Sequence, residues 1–136
     1  MKREIKFRAW DTKKNKMWSA EEMGRDELTI NPDGRGFVNV SSVDPRLSQY
    51  PQHLIPLQFT GLRAEHGQGK EVYRSDIVRI TMACGDVVIG EVTWDEDNFG
   101  WAVDIGPGFW DFGNIVMCHH LVEVIGNIHD NPGLLK

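Results

Sequence analysis

Short strand-forming runs separated by turn residues dominate the second half of this 136-residue chain. The runs are rich in Val, Ile, Thr and aromatic residues, which favour extended backbone. They cover residues 57–60, 76–82, 87–94, 101–105 and 121–128. Glycine, aspartate and proline cluster between the runs and indicate turns. Because no amphipathic segment of about 10–15 residues separates the runs, the pattern favours a small barrel or sandwich over a parallel sheet.

The best-defined pair of runs, residues 76–80 and 88–92, flanks a glycine-containing turn and resembles the opening hairpin of SH3-like barrels. We therefore predict a mainly β fold, a small SH3-like or related barrel with an N-terminal β-hairpin region and little helix. The chain is short enough for a single domain over residues 1–136. Within it we place a subdivision between an N-terminal hairpin region, residues 1–55, and a C-terminal barrel, residues 56–136.

The N-terminal region carries its own hairpin signals. Residues 4–10 alternate with the period of a half-buried strand, and the polar residues 11–16 predict a turn before a return strand that begins at Met17. Ser19 followed by acidic residues predicts a helical turn. A second hairpin is predicted from residues 28–31 and 37–43 around Pro32-Asp33-Gly34.

The formal net charge of −5 conceals a separation of charge along the chain. Residues 1–20 hold seven Lys/Arg and two Asp/Glu, residues 21–80 hold seven and nine, and residues 81–136 hold one and nine. Such a separation governs association and steering and says nothing about fold. We expect a homo-oligomer in which the N-terminal hairpin of one copy meets the acidic barrel of a neighbour.

The composition is that of an ordinary globular protein, with 40% hydrophobic and 26% charged residues. No apolar run approaches the roughly 20 residues that span a bilayer, and no apolar segment of a signal peptide follows the basic start. Cys84 and Cys118 are too few for a disulfide framework. These features predict a cytoplasmic protein with reduced thiols and no membrane association.

Three local signatures resemble the YopX proteins of bacteriophages and prophages. Residues 3–11 read Arg-Glu-Ile-Lys-Phe-Arg-Ala-Trp-Asp, residues 58–62 read Gln-Phe-Thr-Gly-Leu, and residues 125–132 contain Ile-Gly-Asn-Ile followed by Asn-Pro. The segment from Gly69 to Tyr73 that leads into residues 76–78 fits the same pattern. The resemblance implies a phage or prophage origin in a bacterial host and a mostly β structure, and it supplies no catalytic residue.

The chain departs from the family pattern at two places. The turn at residues 66–70 is longer than the short Asn-Gly-Lys type turn of the family. Ser75 occupies a position where a glycine usually precedes the aspartate. Both departures concern the local geometry of loops.

Side chains that could hold a metal or perform catalysis do not occur in the usual patterns. The run Cys118-His119-His120, with Cys84 as a fourth residue, lacks zinc spacing, and neighbours on a strand point to opposite faces. Asp95-Glu96-Asp97 is typical of a solvated hairpin tip, and Gly106-Pro107-Gly108 lacks the lysine of a phosphate loop. No nucleophile motif is present. We predict no catalytic residue, no metal and no cofactor, and hence a protein that is not an enzyme.

A basic hairpin with two tryptophans is the first candidate interaction surface. It comprises Lys6, Arg8, Trp10, Lys13, Lys14, Lys16 and Trp18. Cations interleaved with aromatic rings are typical of a nucleic-acid groove. Alternatively, the two tryptophan rings pack across the hairpin while the lysines are solvated. The sequence pI of 5.5 and the acidic second half argue against a dedicated DNA-binding protein.

An aromatic stretch is the second candidate interaction surface. It comprises Phe109, Trp110 and Phe112, with Phe99 and Trp101 upstream. Exposed aromatic residues on a β edge are typical of a protein interface. In the alternative, Trp110 and Phe112 alternate with exposed neighbours and close the barrel. We predict a non-enzymatic module that binds a protein partner or copies of itself, with nucleic-acid binding as the alternative function.

The terminal signature predicts a structural role for Gly126 and Asn127. A glycine inside a strand usually marks a bulge or a close approach of backbone, and asparagine tolerates positive φ. The pair is therefore expected to shape the closing strand of the barrel. Pro132 and Gly133 are expected to follow the end of that strand and to leave residues 134–136 as a short tail.

Overall fold

The structure is a computed structural model that describes residues 5–25, 28–30, 36–39, 53–64 and 69–135. The chain forms two units, which we call the N-terminal unit, residues 5–58, and the C-terminal unit, residues from Phe59 onward. The boundary lies inside one long strand, β5 (Leu54–Ala64), whose first part pairs in the N-terminal unit and whose second part pairs in the C-terminal unit. The sequence placed this boundary at residues 55 and 56.

The N-terminal unit is built from two antiparallel hairpins, as predicted. Strand β1 (Phe7–Asp11) pairs with β2 (Lys16–Trp18) and, on its other side, with residues 54–58 of β5. Strand β3 (Leu28–Ile30) pairs with β4 (Phe37–Asn39). The predicted turn at Pro32-Asp33-Gly34 lies outside the described residues.

Helix α1 (Ala20–Arg25) begins at a reciprocal cap, which confirms the predicted helical turn. The Ser19 hydroxyl accepts a hydrogen bond from the Glu22 backbone N–H at 3.1 Å, and the Glu22 carboxylate accepts one from the Ser19 N–H at 3.2 Å. This capping box satisfies two backbone donors that the helix itself leaves open. The helix contributes Met23 to the core of the unit, which contains the buried residues Ala9, Met23, Phe37 and Leu54.

The C-terminal unit is an antiparallel β structure, so the predicted mainly β fold is confirmed. Its strands after β5 are β6 (Lys70–Tyr73), β7 (Asp76–Thr81), β8 (Val87–Asp95), β9 (Gly100–Asp104), β10 (Phe109–Asp111) and β11 (Leu121–Asn127). Five of them form one sheet in the order β10-β9-β8-β7-β11. The central β7–β8 hairpin is the one predicted from the sequence.

The core of this unit is mostly β-branched, as expected for side chains that pack on a pleated sheet. It comprises Ala64, Val72, Val78, Ile80, Val92, Val103, Ile115 and Val122. Strands β8 and β9 approach each other very closely at Gly90, where an added Cβ would overlap the backbone carbonyl oxygen of Asp104. The glycine is therefore required for the pairing of these two strands.

Two short helical segments of the C-terminal unit were not predicted. Helix α2 (Phe112–Met117) follows β10, and a 3₁₀ helix (Pro132–Leu135) follows β11. The expectation of a simple tail at residues 134–136 is wrong for Leu134 and Leu135, because the Leu134 N–H donates to the Asn131 carbonyl at 3.1 Å and closes a helical turn.

Five described strands that end in Asp or Asn close with the same hydrogen-bonding pattern. The terminal side chain accepts a hydrogen bond from a backbone N–H two or three residues further along the chain. The residues that do so are Asp11, Asp95, Asp104, Asp111 and Asn127. Because each side chain replaces a partner that the backbone lacks at that point, it fixes where the strand stops and how the turn begins.

The predicted bulge at Gly126 is present, although its physical basis is close packing. The register of β11 against β7 shifts between Val124 and Gly126. A Cβ at Gly126 would lie 2.5 Å from Oδ1 of Asn131, whose side chain accepts a hydrogen bond from the Asn127 N–H at 3.4 Å. The Asn127 side chain in turn accepts from the N–H groups of His129 and Asp130. The predicted bulge is therefore confirmed, and Gly126 and Asn127 contribute to the packing and the turn that end β11.

Ser75, which replaces the usual family glycine, lies in the left-handed backbone region with a φ of 73°. Its N–H donates to the Val92 carbonyl at 2.9 Å, and its carbonyl accepts from the Ile128 N–H at 3.0 Å. These bonds hold the residue between β8 and the end of β11. Ser75 therefore adopts a backbone conformation that is strained for a residue with a Cβ.

We expect Ser75→Gly to raise the free energy of unfolding by about 0.5–1 kcal/mol. A left-handed φ destabilises a residue with a Cβ by about 1–2 kcal/mol, and glycine removes this strain. Glycine also has more conformational freedom in the unfolded chain, which offsets about 0.5–1 kcal/mol of the stabilisation. Urea denaturation of both proteins measures the difference. Ser75→Ala is the matched control, since it keeps the Cβ and hence the strain. Equal stability of the Gly and Ala variants would contradict the explanation.

Candidate interaction sites

Asp11 holds the β1–β2 turn through a buried carboxylate. Oδ1 accepts hydrogen bonds from the N–H groups of Lys13 at 2.9 Å and Lys14 at 3.0 Å, and Oδ2 accepts one from Nε1 of Trp18 at 3.1 Å. Burial by itself raises the pKa of Asp11, but these hydrogen bonds and the nearby His53 outweigh it and lower the pKa below its ordinary value. The carboxylate is therefore ionised at neutral pH and orients the indole ring.

Two lysines of the predicted basic surface gather over Trp18. Nζ of Lys16 lies 3.9 Å from the centroid of the ring and Nζ of Lys14 lies 5.5 Å from it. Lys16 also forms an ion pair with Glu22 at 3.0 Å. Lys13 is exposed in the same turn. The turn therefore presents a compact positive surface whose aromatic ring is already in contact with cations.

The two tryptophans of this hairpin do not share a surface. In the β1–β2 register Trp18 lies opposite Ala9 and Trp10 lies opposite Met17, so the two rings project from opposite faces. Trp10 is only 6% exposed. Lys6 and Arg8 are half-buried and each has an interaction partner. The prediction of Trp10 as part of an exposed surface is wrong, because the ring belongs to the interior of the unit.

The second predicted surface, Phe109, Trp110 and Phe112, is divided between surface and interior. Trp110 and Phe112 are half-buried and pack against the core of the C-terminal unit, and the Trp110 ring lies 6.0 Å from the ring of His120. Phe109 is half-exposed on β10, which is an edge strand of the five-stranded sheet. Only Phe109 therefore offers a large aromatic surface for a partner.

Phe99 presents far more apolar surface than any residue of the predicted set. It lies in the turn between β8 and β9, is 81% exposed, and has a φ of 53°. A left-handed backbone is unfavourable for a bulky residue. The turn holds this conformation because the Asp95 carboxylate accepts from the N–H groups of Asp97 and Asn98. Backbone strain at an exposed aromatic residue is characteristic of a functional surface.

Helix α2 adds two exposed apolar residues that the sequence analysis missed. Met117 is 77% exposed and Val116 is also exposed, whereas Ile115 is buried in the core. Asp111 caps the helix by accepting from the Asn114 N–H at 2.9 Å. An aspartate is a preferred residue at a helix N-cap, so Asp111 could have indicated this helix in the sequence. The signal was weak, since Gly113 and the β-branched Val116 both disfavour helix.

The β8–β9 turn, helix α2 and strand β5 line an open groove of about 850 Å³ in the C-terminal unit. Its apolar wall contains Leu62, Trp101, Phe112, Val116 and Met117, and its polar wall contains Thr60, Asp95, Asn98 and Asp111. The backbone of β5 bends at this wall, because Gly61 has a φ of 91° and the register against β6 shifts there. The groove is large enough for a peptide segment or a small ligand.

The two carboxylates that line the groove are hydrogen-bonded by neutral groups. The side-chain amide of Asn98 donates to Asp95 at 2.8 Å and is the largest cause that lowers the pKa of this carboxyl. The side-chain amide of Asn114 donates to Asp111 at 2.6 Å. No Lys or Arg occurs in the sequence between Arg79 and Lys136. Neither carboxylate therefore has a Lys or Arg close to it along the chain.

The acidic character of the unit extends to its sheet. Glu91 on β8 lies directly opposite Asp104 on β9. Burial and the charge of Asp104 raise the pKa of Glu91, although Arg74 acts in the opposite direction. Like charges facing each other across a ladder are unfavourable. A positively charged partner would relieve this repulsion.

The side chains considered as metal ligands are dispersed. Cys84 and Cys118 are both exposed and free, and His120 accepts a hydrogen bond on Nδ1 from the Ala83 N–H at 3.4 Å. Within the described part of the chain no three His, Cys, Asp or Glu side chains come together in a metal-binding arrangement. The described residues of the C-terminal unit thus provide turn caps and the lining of an open groove in a small β protein.

Comparison with known proteins identifies the family. The family model described as YopX protein matches residues 6–136, and the chain belongs to the YopX family. No curated protein matches the chain in sequence. Among the described residues, none of the helices combines the length and the apolar character that crossing a membrane requires.

Two solved crystal structures share the fold. Protein EF1440 from Enterococcus faecalis is 22% identical with a TM-score of 0.62, and the alignment covers 99% of this chain and 100% of that one. Protein yopX from Bacillus subtilis is 21% identical with a TM-score of 0.61, and the alignment covers 96% of this chain and 98% of that one. At these identities the likeness establishes the fold.

Proposed function

We propose that this protein is a bacteriophage or prophage accessory protein of the bacterial cytoplasm that acts by binding proteins, including copies of itself, and not by catalysis. The observation that carries the proposal is Phe99, a strained aromatic residue that is 81% exposed beside the groove. Aromatic anchors next to an apolar depression are typical of protein interfaces. Membership of the YopX family supports the phage or prophage origin.

The roles of three buried polar residues support a binding function. Asp11, Asp95 and Asn127 are buried or nearly buried polar residues, and each is occupied by backbone N–H groups of its own turn. Groups held in this way stabilise turns and have little freedom to exchange protons with a substrate. A general acid or base must be able to exchange a proton with its substrate.

Charge supports self-association. The N-terminal segment is strongly basic, and the C-terminal unit is acidic with a repulsive Glu91–Asp104 pair. Oppositely charged surfaces on one chain attract between copies, and the attraction weakens as salt screens it. The same basic turn, with Lys13, Lys14 and Lys16, is the basis of the alternative proposal of nucleic-acid binding.

Light scattering over a range of protein and salt concentrations tests the proposal. We expect association that weakens at high salt, and a further loss in Phe99→Asn, because asparagine accepts the positive φ but removes the ring. Ile89→Asn, an exposed apolar residue of β8 outside the groove, is the matched control. Affinity purification from host cells with nuclease present provides the second measurement. A monomer at every salt concentration that retains no protein after nuclease treatment would contradict the proposal.

A further inference from the structure

The lining of the groove in the C-terminal unit is complementary to a ligand that is both apolar and basic. Five apolar residues line it, and Val116 and Met117 at its edge are largely exposed. Asp95 and Asp111 add two negative charges, and their hydrogen-bond donors among the described residues are neutral amides. Glu96 and Asp97 extend the negative charge along the adjacent turn. A purely apolar ligand would leave these charges uncompensated, and a purely basic one would leave the apolar wall exposed.

The chain itself carries a segment of this composition. Residues 2–6 read Lys-Arg-Glu-Ile-Lys, which places one large apolar residue among three basic ones. Ile5 precedes β1 and is 75% exposed. An isoleucine with so much exposed surface gains free energy when a partner covers it. The segment thus matches the groove in both charge and apolar character.

We propose that the groove of one copy binds residues 2–6 of a second copy. This inference rests on the self-association in the proposed function and adds the two surfaces that meet. Ile5 would contact the apolar residues Val116 and Met117, and the side chains of Lys2 and Arg3 would face the acidic turn at Asp95. Since the two surfaces are different, the contact is head-to-tail, and its repetition from copy to copy gives a closed ring or an open filament.

A mixing experiment between two variants tests this arrangement. The segment variant Arg3→Glu/Ile5→Ser keeps an intact groove, and the groove variant Val116→Ser/Met117→Ser keeps an intact segment. Each alone should self-associate at least about tenfold more weakly than the unchanged protein in analytical ultracentrifugation. Their mixture should regain association and form one-to-one pairs, because one intact segment then meets one intact groove. Val87→Ser/Ile89→Ser, exposed apolar residues outside the groove, should associate normally.

A labelled peptide with the sequence of residues 1–8 gives an independent measurement. It should bind the unchanged protein and bind the groove variant at least about tenfold more weakly. Association of both variants at normal strength, or a mixture that fails to pair, would overturn the head-to-tail contact while leaving self-association intact. The mixture would also fail to pair if the interface were symmetric, or if each segment bound the groove of its own copy. An unchanged protein that never associates would overturn the contact and the proposed self-association together.

Discussion

Gly90→Ala is expected to lower the free energy of unfolding of the C-terminal unit by about 3 kcal/mol, the upper end for an atom added to a packed interior. The new Cβ would overlap the Asp104 carbonyl oxygen and lie 2.7 Å from Cγ1 of Val103. The first obstacle is backbone. It cannot retreat without breaking the β8–β9 ladder, in which Glu91 pairs with Asp104 and Val92 with Val103. Urea denaturation monitored by tryptophan fluorescence measures the loss.

Gly24→Ala is the matched control for this prediction. Gly24 lies in α1, and a Cβ built there meets no atom within 4 Å. Alanine should therefore stabilise the N-terminal unit by up to about 1 kcal/mol through its higher helix propensity. The same chemical change is thus expected to have opposite signs at the two positions. A Gly90→Ala protein as stable as the unchanged one would show that β8 and β9 can separate at no cost.

Asp11→Ala should destabilise the N-terminal unit by about 2–3 kcal/mol, because hydrogen bonds to an ionised acceptor are among the stronger ones and buried donors are costly to leave open. The substitution removes the acceptor of the Lys13 and Lys14 N–H groups and of Nε1 of Trp18. Thermal unfolding followed by circular dichroism measures the effect. Asp11→Asn keeps one oxygen acceptor and should lose less. Equal losses in the two variants would show that the negative charge, and not the acceptor oxygen, is what matters.

The destabilisation by Asp11→Ala should depend on pH in one direction. The folded pKa of Asp11 lies below its ordinary value of 3.8, so the carboxylate contributes its full stability above that pH. The contribution is lost as the pH falls from 3.8 through the folded pKa. The unchanged protein and Asp11→Ala should therefore converge in stability only in strong acid. A difference that narrows already between about pH 7 and pH 5 would assign the effect to another group.

Strand ends and one helix start could be predicted from the sequence because short-range contacts decide them. Asp11, Asp95 and Asn127 accept hydrogen bonds from N–H groups two and three residues away. Ser19 and Glu22 cap each other at a similar distance. The Val and Ile content of β7 and β8 likewise favours extended backbone. No distant residue is needed for any of these features.

The backbone conformation at Ser75 could not be predicted from neighbouring residues. The sequence revealed that Ser75 replaces a glycine, but it did not reveal whether the backbone there had changed. In the structure φ is 73° at Ser75, and hydrogen bonds to Val92 of β8 and to Ile128, which follows β11, hold the residue in this conformation. Contacts distant in sequence thus override the local preference of serine.

The candidate site depended still more on tertiary structure. Trp10 and Trp18 look alike in the sequence, yet the β1–β2 register sends them to opposite faces and buries Trp10. Helix α2 forms although Gly113 and Val116 disfavour it, since the core buries Ile115 and Asp111 caps the first turn. The groove exists only because β5, the β8–β9 turn and α2, which are separated along the chain, come together. The sequence by itself determined β7, β8, β9 and β11 and the separation of charge, because neighbouring residues set these, whereas β6, β10 and the full length of β5 were not predicted. Burial and the groove were decided by the tertiary structure, because they depend on which distant segments pack together.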